Sequence, residues 1–270
     1  MSFSQLTNQT AHRPWPIPPS PWIMTQRWSD LVFAHWPIPA DALRPLVPSS
    51  LHLDTFEGQA WIGLVPFRMS NVRPRFVPAM PWLSAFPEFN VRTYVCANNS
   101  TDPAISKPGV YFFSLEAGNP VAVSIARQVF KLPYFRANMG LQHEEEPNGW
   151  NAYSAKAIHY RTERTHLGAS SAQFRGSYRP IGPTYQSEPG TLEYWLTERY
   201  ALYTVPADGR VLRGDIHHLP WPLQPAELEI EFNSMAVASQ IDLPDTQPLL
   251  HFAQELDVVV WPLSHKVENS

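Results

Sequence analysis

The chain holds 29 prolines against 12 glycines in 270 residues, and this ratio limits its fold more than any other feature. Proline fixes φ, lacks a backbone N–H and is excluded from helix interiors and central strands. Many short elements joined by stiffened loops are therefore expected. A hydrophobic content of 44% still supplies a large core.

Residues 13–22, RPWPIPPSPW, should form an extended arm, with its tryptophans packed on the body or, in an interaction module, offered as a polyproline ligand. Strand patterns follow in TQRWSDLVFAHW, FPEFNVRTYVCA and GVYFFSLEA. PADALRPLVP reads as a short helix, and LHLDTF with QAWIGLVPFRM reads as a hairpin turning at Glu57-Gly58. Beyond the middle, WNAYSAKAIHYR, SAQFRGSYRP, ALYTV, RVLRGDIHHL, AELEIEF and VVVWPL repeat the pattern, with a short helix near 191–197 and a turn at Asp208-Gly209. No linker rich in Gly or Ser divides the chain. The reading is an arm over 1–22 and one domain over 23–265.

A net charge of −4 without any run of Lys or Arg argues against a nucleic-acid surface. No stretch is apolar enough to span a membrane, and the start has no signal-peptide pattern. The single Cys96 excludes an internal disulfide. A soluble, cytoplasmic protein is expected.

One longer helix is expected over 119–131. Asn119 suits its N-cap and Pro120 its first turn. Val121, Ile125 and Val129 form one stripe with Ala122, Ala126 and Phe130 beside it, which predicts burial on nearly every side. Arg127, the one interior charge, should then meet an acidic partner, Glu88 or Glu116.

Four blocks in order, MTQRWSDLVFAHWPIP, GQAWIGLVPFRMSNVRP, FPEFNVRTYV and GVYFFSLEAGNPVAVSIARQVFKLPY, resemble the YqjF-like family of uncharacterised bacterial proteins. That family looks like a distant relative of acetoacetate decarboxylase. The resemblance spans about residues 20–260 and implies an α+β, mainly β fold: a curled antiparallel sheet closed into a cone-like barrel with a few packed helices and a central cavity. Related scaffolds associate into larger rings, so a homo-oligomer is a further expectation of the resemblance.

In the decarboxylases the core helix ends in a pattern like Gly-Arg-Glu-Ile-Trp-Gly-Phe-Pro followed by two lysines. Here Ala126-Arg127-Gln128-Val129-Phe130-Lys131-Leu132-Pro133 aligns with it, but Tyr134 and Phe135 follow. A Schiff base needs an amine uncharged near neutral pH, which that enzyme obtains from a lysine beside a second cation, an example of amine activation by a neighbouring charge. The four lysines here, Lys107, Lys131, Lys156 and Lys266, include no adjacent pair. Lys131 is either a desolvated amine or a helix-end cation meeting the last carbonyls.

In PEFNVRTY, alternation puts Glu88, Asn90, Arg92 and Tyr94 on one face and Phe89, Val91, Thr93 and Val95 on the other. With the apolar row against outer helices, the polar row would face the cavity. The resemblance supports this, since the decarboxylases carry a cavity glutamate on a comparable strand, which maps to Glu88. Glu88 and Arg92 are the catalytic candidates. Asn90, Tyr94, Tyr134, Arg136 and Lys131 are the ligand-binding candidates. Asp215, His217 and His218 lack the ligand number and spacing of a zinc site, because adjacent strand residues face opposite ways. His143 with Glu144-Glu145-Glu146 reads as an acidic loop, Cys96 as a small buried hydrophobe, and Ser114 lacks a nucleophile-elbow setting. No phosphate-binding loop occurs. Neither a cofactor nor a metal is expected.

The leading reading is a cavity protein that binds a small organic acid or ketone-like ligand without imine chemistry. The first alternative is a lyase, decarboxylase or isomerase acting on a keto or enol acid with Glu88 as acid/base. The second is an interaction module that uses the Pro-rich arm.

Overall fold

The computed structural model describes residues 3–80, 82–144 and 156–265. Its twelve strands are β1 (Met24–Ile38), β2 (His52–Leu53), β3 (Ala60–Pro74), β4 (Phe86–Cys96), β5 (Gly109–Ala117), β6 (Tyr134–His143), β7 (Ile158–Arg164), β8 (Gln173–Pro180), β9 (Ala201–Thr204), β10 (Leu212–His217), β11 (Leu223–Asn233) and β12 (Leu249–His265). Between them lie α1 (Phe3–Thr7), α2 (Ala40–Leu43), α3 (Pro103–Ser106), α4 (Pro120–Val129) and α5 (Leu192–Thr197). The mainly-β expectation holds, with β5–β6 and β5–β9 the parallel pairs in an otherwise antiparallel sheet. Of WNAYSAKAIHYR, residues 150–155 lie outside the described residues, as do Glu145, Glu146 and Lys266.

Two strands fork, and the forks close the sheet on itself. β5 keeps β4 on one edge, while its other edge pairs with β9 at Val110–Tyr111 and with β6 at Leu115–Ala117. β12 keeps β1 on one edge and divides the other between β11 and β10. The shared wall β12–β1–β3–β4–β5 therefore has one face toward β6, β7, β8 and β11, and the other toward β9 and β10.

The first face is packed solid. Phe89 and Val91 of β4 meet Tyr160, Phe174, Tyr178 and Phe252, with Phe89 and Phe174 ring centres 5.0 Å apart. The apolar row of β4 thus packs on the far half of the sheet, not on outer helices. Along β1 a register shift against β3 between Ser29 and Ala34, where Asp30 takes φ +53°, re-aims the strand. Gln26 and Trp28 before it face the second side, as does Leu31 after it, while Val32 and Ala34 join the solid core.

The arm packs as its composition suggests. Trp15 is buried and donates through Nε1 to Asp215 at 3.2 Å, and Trp261 Nε1 reaches the Ser20 carbonyl at 2.7 Å. The Glu57-Gly58 turn forms, with both residues at positive φ between bridged Phe56 and Gln59. The hairpin around it does not, because β2 pairs with β4 and not with β3.

The α4 cap matches its sequence. Asn119 Oδ1 accepts from the backbone N–H groups of Val121 (3.0 Å) and Ala122 (3.1 Å), while its Nδ2 donates to the Trp82 carbonyl at 2.9 Å. Asn119→Ala should cost about 1–2 kcal/mol, the upper half of the usual capping range because a tertiary bond goes too. The urea unfolding midpoint measures this loss.

The rest of α4 departs from expectation. Val123 is its buried residue, whereas Val121, Ile125 and Val129 are 41%, 47% and 55% exposed. Arg127 is exposed and bonds the Tyr134 carbonyl at 2.6 Å instead of a carboxylate. The buried acid Glu116 is held by Arg164.

Candidate functional site

On its second face the shared wall encloses, with β9, β10 and α4, a cavity of about 240 Å³. Its lining is mostly apolar, and Glu88, Asn90 and Arg92 project into it from β4. Alternation explains their common direction, and two-sided pairing of β4 with β3 and β5 holds the backbone beneath them.

Glu88 is 3% exposed. The Tyr134 hydroxyl donates to its Oε2 at 2.8 Å, and the Tyr160 hydroxyl donates to its main-chain carbonyl at 2.7 Å. Burial pushes the Glu88 carboxyl up to about 8; the Tyr134 bond opposes this and nearby Glu116 adds to it. Tyr134 reaches this spot because Lys131, at φ +54°, ends α4 in the left-handed conformation and Leu132-Pro133 leads straight into β6.

Arg92 has no carboxylate partner among the described residues. Its guanidinium lies over Phe33 (5.1 Å) and Tyr94 (5.8 Å), and its Nε has no hydrogen-bond partner. Asn90 Oδ1 is likewise buried without a partner. Tyr94 shares the strand face but sits behind the cavity wall, where its hydroxyl is hydrogen-bonded to His35 Nε2 at 2.6 Å. Burial, helped by the Arg92 charge, holds His35 well below the ordinary histidine value, which favours the neutral imidazole.

Three more lining residues with polar side chains, Arg199, Thr197 and His218, come from the second half of the chain. Arg199 follows α5 and bonds Asp54 (2.6 Å) and the Trp195 carbonyl (2.6 Å), leaving Nη2 unpartnered. Thr197 lies beside it. His218 follows β10 with Nδ1 2.7 Å from the Leu219 carbonyl, and burial lowers its pKa to about 4. His217 points the other way, to the Leu6 carbonyl at 2.9 Å. Sequence reasoning missed Arg199, Thr197 and Gln26 and weighed His218 only as a metal ligand. A charge inside the aromatic run YWLTERYALY was the available signal for Arg199.

Two further candidates, besides Tyr94, fall outside the cavity. Lys131 and Arg136 are exposed: the left-handed turn at the end of α4 sends the lysine outward, and Arg136, which alternation alone would put on Tyr134's face, is exposed because the burial along β6 does not follow period two. Among the described residues no lysine lines the cavity, and no group of three His, Cys, Asp or Glu stands at metal-binding distance. Cys96 is half-buried, with burial pushing its thiol up to about 12, so it holds no ready thiolate.

The ring-like sheet and its enclosed cavity define a protein of the acetoacetate-decarboxylase-like fold class. An acetoacetate decarboxylase-like enzyme from Sphingomonas wittichii RW1 superimposes with a TM-score of 0.58 at 11% identity, covering 93% of this chain and 95% of that one. The enduracididine biosynthesis enzyme MppR complexed with pyruvate gives 0.58 at 11% identity, covering 97% and 96%. These likenesses carry the fold alone. The chain belongs to the DUF2071 family of uncharacterized conserved proteins, whose model matches residues 25–257. It is 47% identical over 247 residues to the uncharacterized protein YqjF of Bacillus subtilis strain 168, covering 92% of this chain and 94% of that protein.

Proposed function

We propose that the protein binds a small organic acid in the cavity, with the carboxylate on Arg92 and a carbonyl or hydroxyl oxygen toward Glu88 and Tyr134. The carrying observation is Arg92 itself. A buried guanidinium without a carboxylate is costly, and an acidic ligand supplies the missing charge. Arg199 is already neutralised by Asp54 and shapes the wall instead. A volume near 240 Å³ lies below the ~300–1,000 Å³ of drug-sized sites, which favours a small ligand. MppR, on the same fold, is complexed with a small keto acid. No imine step enters, since no lysine lines the wall among the described residues.

A second reading has Glu88 as acid/base in a lyase, decarboxylase or isomerase. Its support is the carboxyl near 8, which can hold or release a proton around neutral pH. The interaction reading of the arm has less support, because Leu6 and Trp15 are spent on the body. The cytoplasm is the proposed location; no helix among the described residues is long and apolar enough to cross a membrane.

Calorimetric titration with pyruvate, acetoacetate and butyrate tests the reading. Arg92→Met should weaken every acid that binds by about 10–100-fold, the worth of a charge-assisted bond. Borohydride added to the acetoacetate mixture should leave the protein mass unchanged. A reduced adduct on any lysine would sink the proposal. Turnover of a keto acid that disappears in Glu88→Gln while binding persists would establish the enzymatic reading.

A further inference from the structure

The cavity is polar at depth and apolar at its mouth. No polar residue of the wall is more than 9% exposed, from His218 at 1% to Arg92 at 9%. The most exposed lining residues are apolar: Pro74 and Ile125 are exposed, with Val72, Leu83, Ala122 and Phe130 half-buried beside them. They form a collar from two elements, α4 and the stretch that carries Val72, Pro74 and Leu83, clipped together where Asn119 donates to the Trp82 carbonyl. The apolar surface continues outward from the collar. Ile125 is at once a lining residue and the middle of the exposed stripe Val121–Ile125–Val129, and Met80 and Trp82 are 42% and 64% exposed on the facing segment.

A wholly hydrophilic acid would leave that collar in water and fill only the polar floor. A ligand with an apolar extension removes the collar from water as it seats its carboxylate. We infer that the ligand is an amphipathic acid, its carboxylate at Arg92 and its alkyl or aryl tail running out between Leu83 and Ile125. The inference rests on the acid-binding reading above and adds the chemical class.

The length of the tail is the measurable variable. Straight-chain acids from acetate through butyrate, hexanoate and octanoate to decanoate are titrated into the wild-type protein, Arg92→Met and Ile125→Gln, below their micelle concentrations. Affinity should climb about fourfold per added methylene until the tail clears the collar, and then level off. Ile125→Gln should weaken octanoate about tenfold and butyrate less than twofold. Its side chain is 47% exposed and glutamine is a good helix former, so the fold should tolerate it. Arg92→Met should weaken all lengths by one common factor. Affinity that is flat with length, or octanoate binding indifferent to Ile125→Gln, overturns the tail while leaving Arg92-dependent binding of short acids in place. Acids that bind without regard to Arg92, or not at all, bring down the underlying reading and this one with it.

Discussion

Arg164→Met should destabilise the protein by about 3–5 kcal/mol at neutral pH, the range found when one member of a buried ion pair is removed. Arg164 and Glu116 have side chains 4% and 0% exposed, and the guanidinium binds Glu116 Oε1 through Nε at 2.9 Å and again through Nη2. Burial alone pushes the Glu116 carboxyl up, and Arg164 and the Ser114 hydroxyl pull against it. Without the arginine, a carboxylate at the junction of β5 and β6 must ionise in a dry site or take up a proton. Methionine keeps much of the contact with Phe135, over whose ring Arg164 lies at 4.0 Å, so the loss reports charge more than volume. Scanning fluorimetry should show a midpoint lower by about 10 °C at pH 7, at the few degrees per kcal/mol usual for chains of this size. The deficit should shrink at pH 5, where Glu116 is more readily protonated. It should also largely vanish in the Arg164→Met, Glu116→Gln double variant. An equal deficit in single and double variants would mean that Arg164 acts by packing.

Sequence patterns report what is local. Alternation along β4 places Glu88, Asn90 and Arg92 together because period two needs only neighbouring residues, and the Asn119-Pro120 cap is read the same way. What bounds each face is not local. It depends on β5 and β12 each dividing an edge between two strands, and nothing in GVYFFSLEA announces a fork. Tyr94 obeys the alternation and still falls behind the wall, where its hydroxyl pairs with His35 of β1. The α4 stripe misleads for a related reason. Apolar residues all round a helix ordinarily mean burial, but this helix stands at the lip of a cavity, leaving Ile125 between the interior and water. Pairing across distance is least legible. Glu116 finds Arg164 from 48 residues away, and Arg199 with His218 reaches a wall built mainly from the first half of the chain.

Glu88→Gln should make the protein more stable, and increasingly so as pH rises. The Glu88 carboxyl stands near 8 in the fold against an ordinary value of 4.5. Its unfolded form therefore sheds its proton first, and the folded state loses stability from about pH 4.5 upward until the native carboxyl also ionises near pH 8. At 1.36 kcal/mol per unit, the wild-type protein should fall behind the glutamine variant by about 2 kcal/mol at pH 6 and about 4 kcal/mol at pH 8, measured from their difference at pH 4. Glutamine is isosteric, and its amide oxygen can still accept from the Tyr134 hydroxyl, so the change isolates the proton. Urea unfolding of both proteins across this range gives the difference curve, in which titrating groups that do not interact with Glu88 cancel. Parallel curves would mean that the carboxyl ionises at its usual value and that the site is wetter than its 3% exposure implies, which would remove the physical ground for Glu88 as an acid or base. A widening gap instead identifies a carboxyl held at a cost that glutamine would relieve. The return on that cost would be a protonated donor beside Tyr134 near neutral pH, facing an anion whose charge is met by Arg92 two turns of the pleat away on the same strand face.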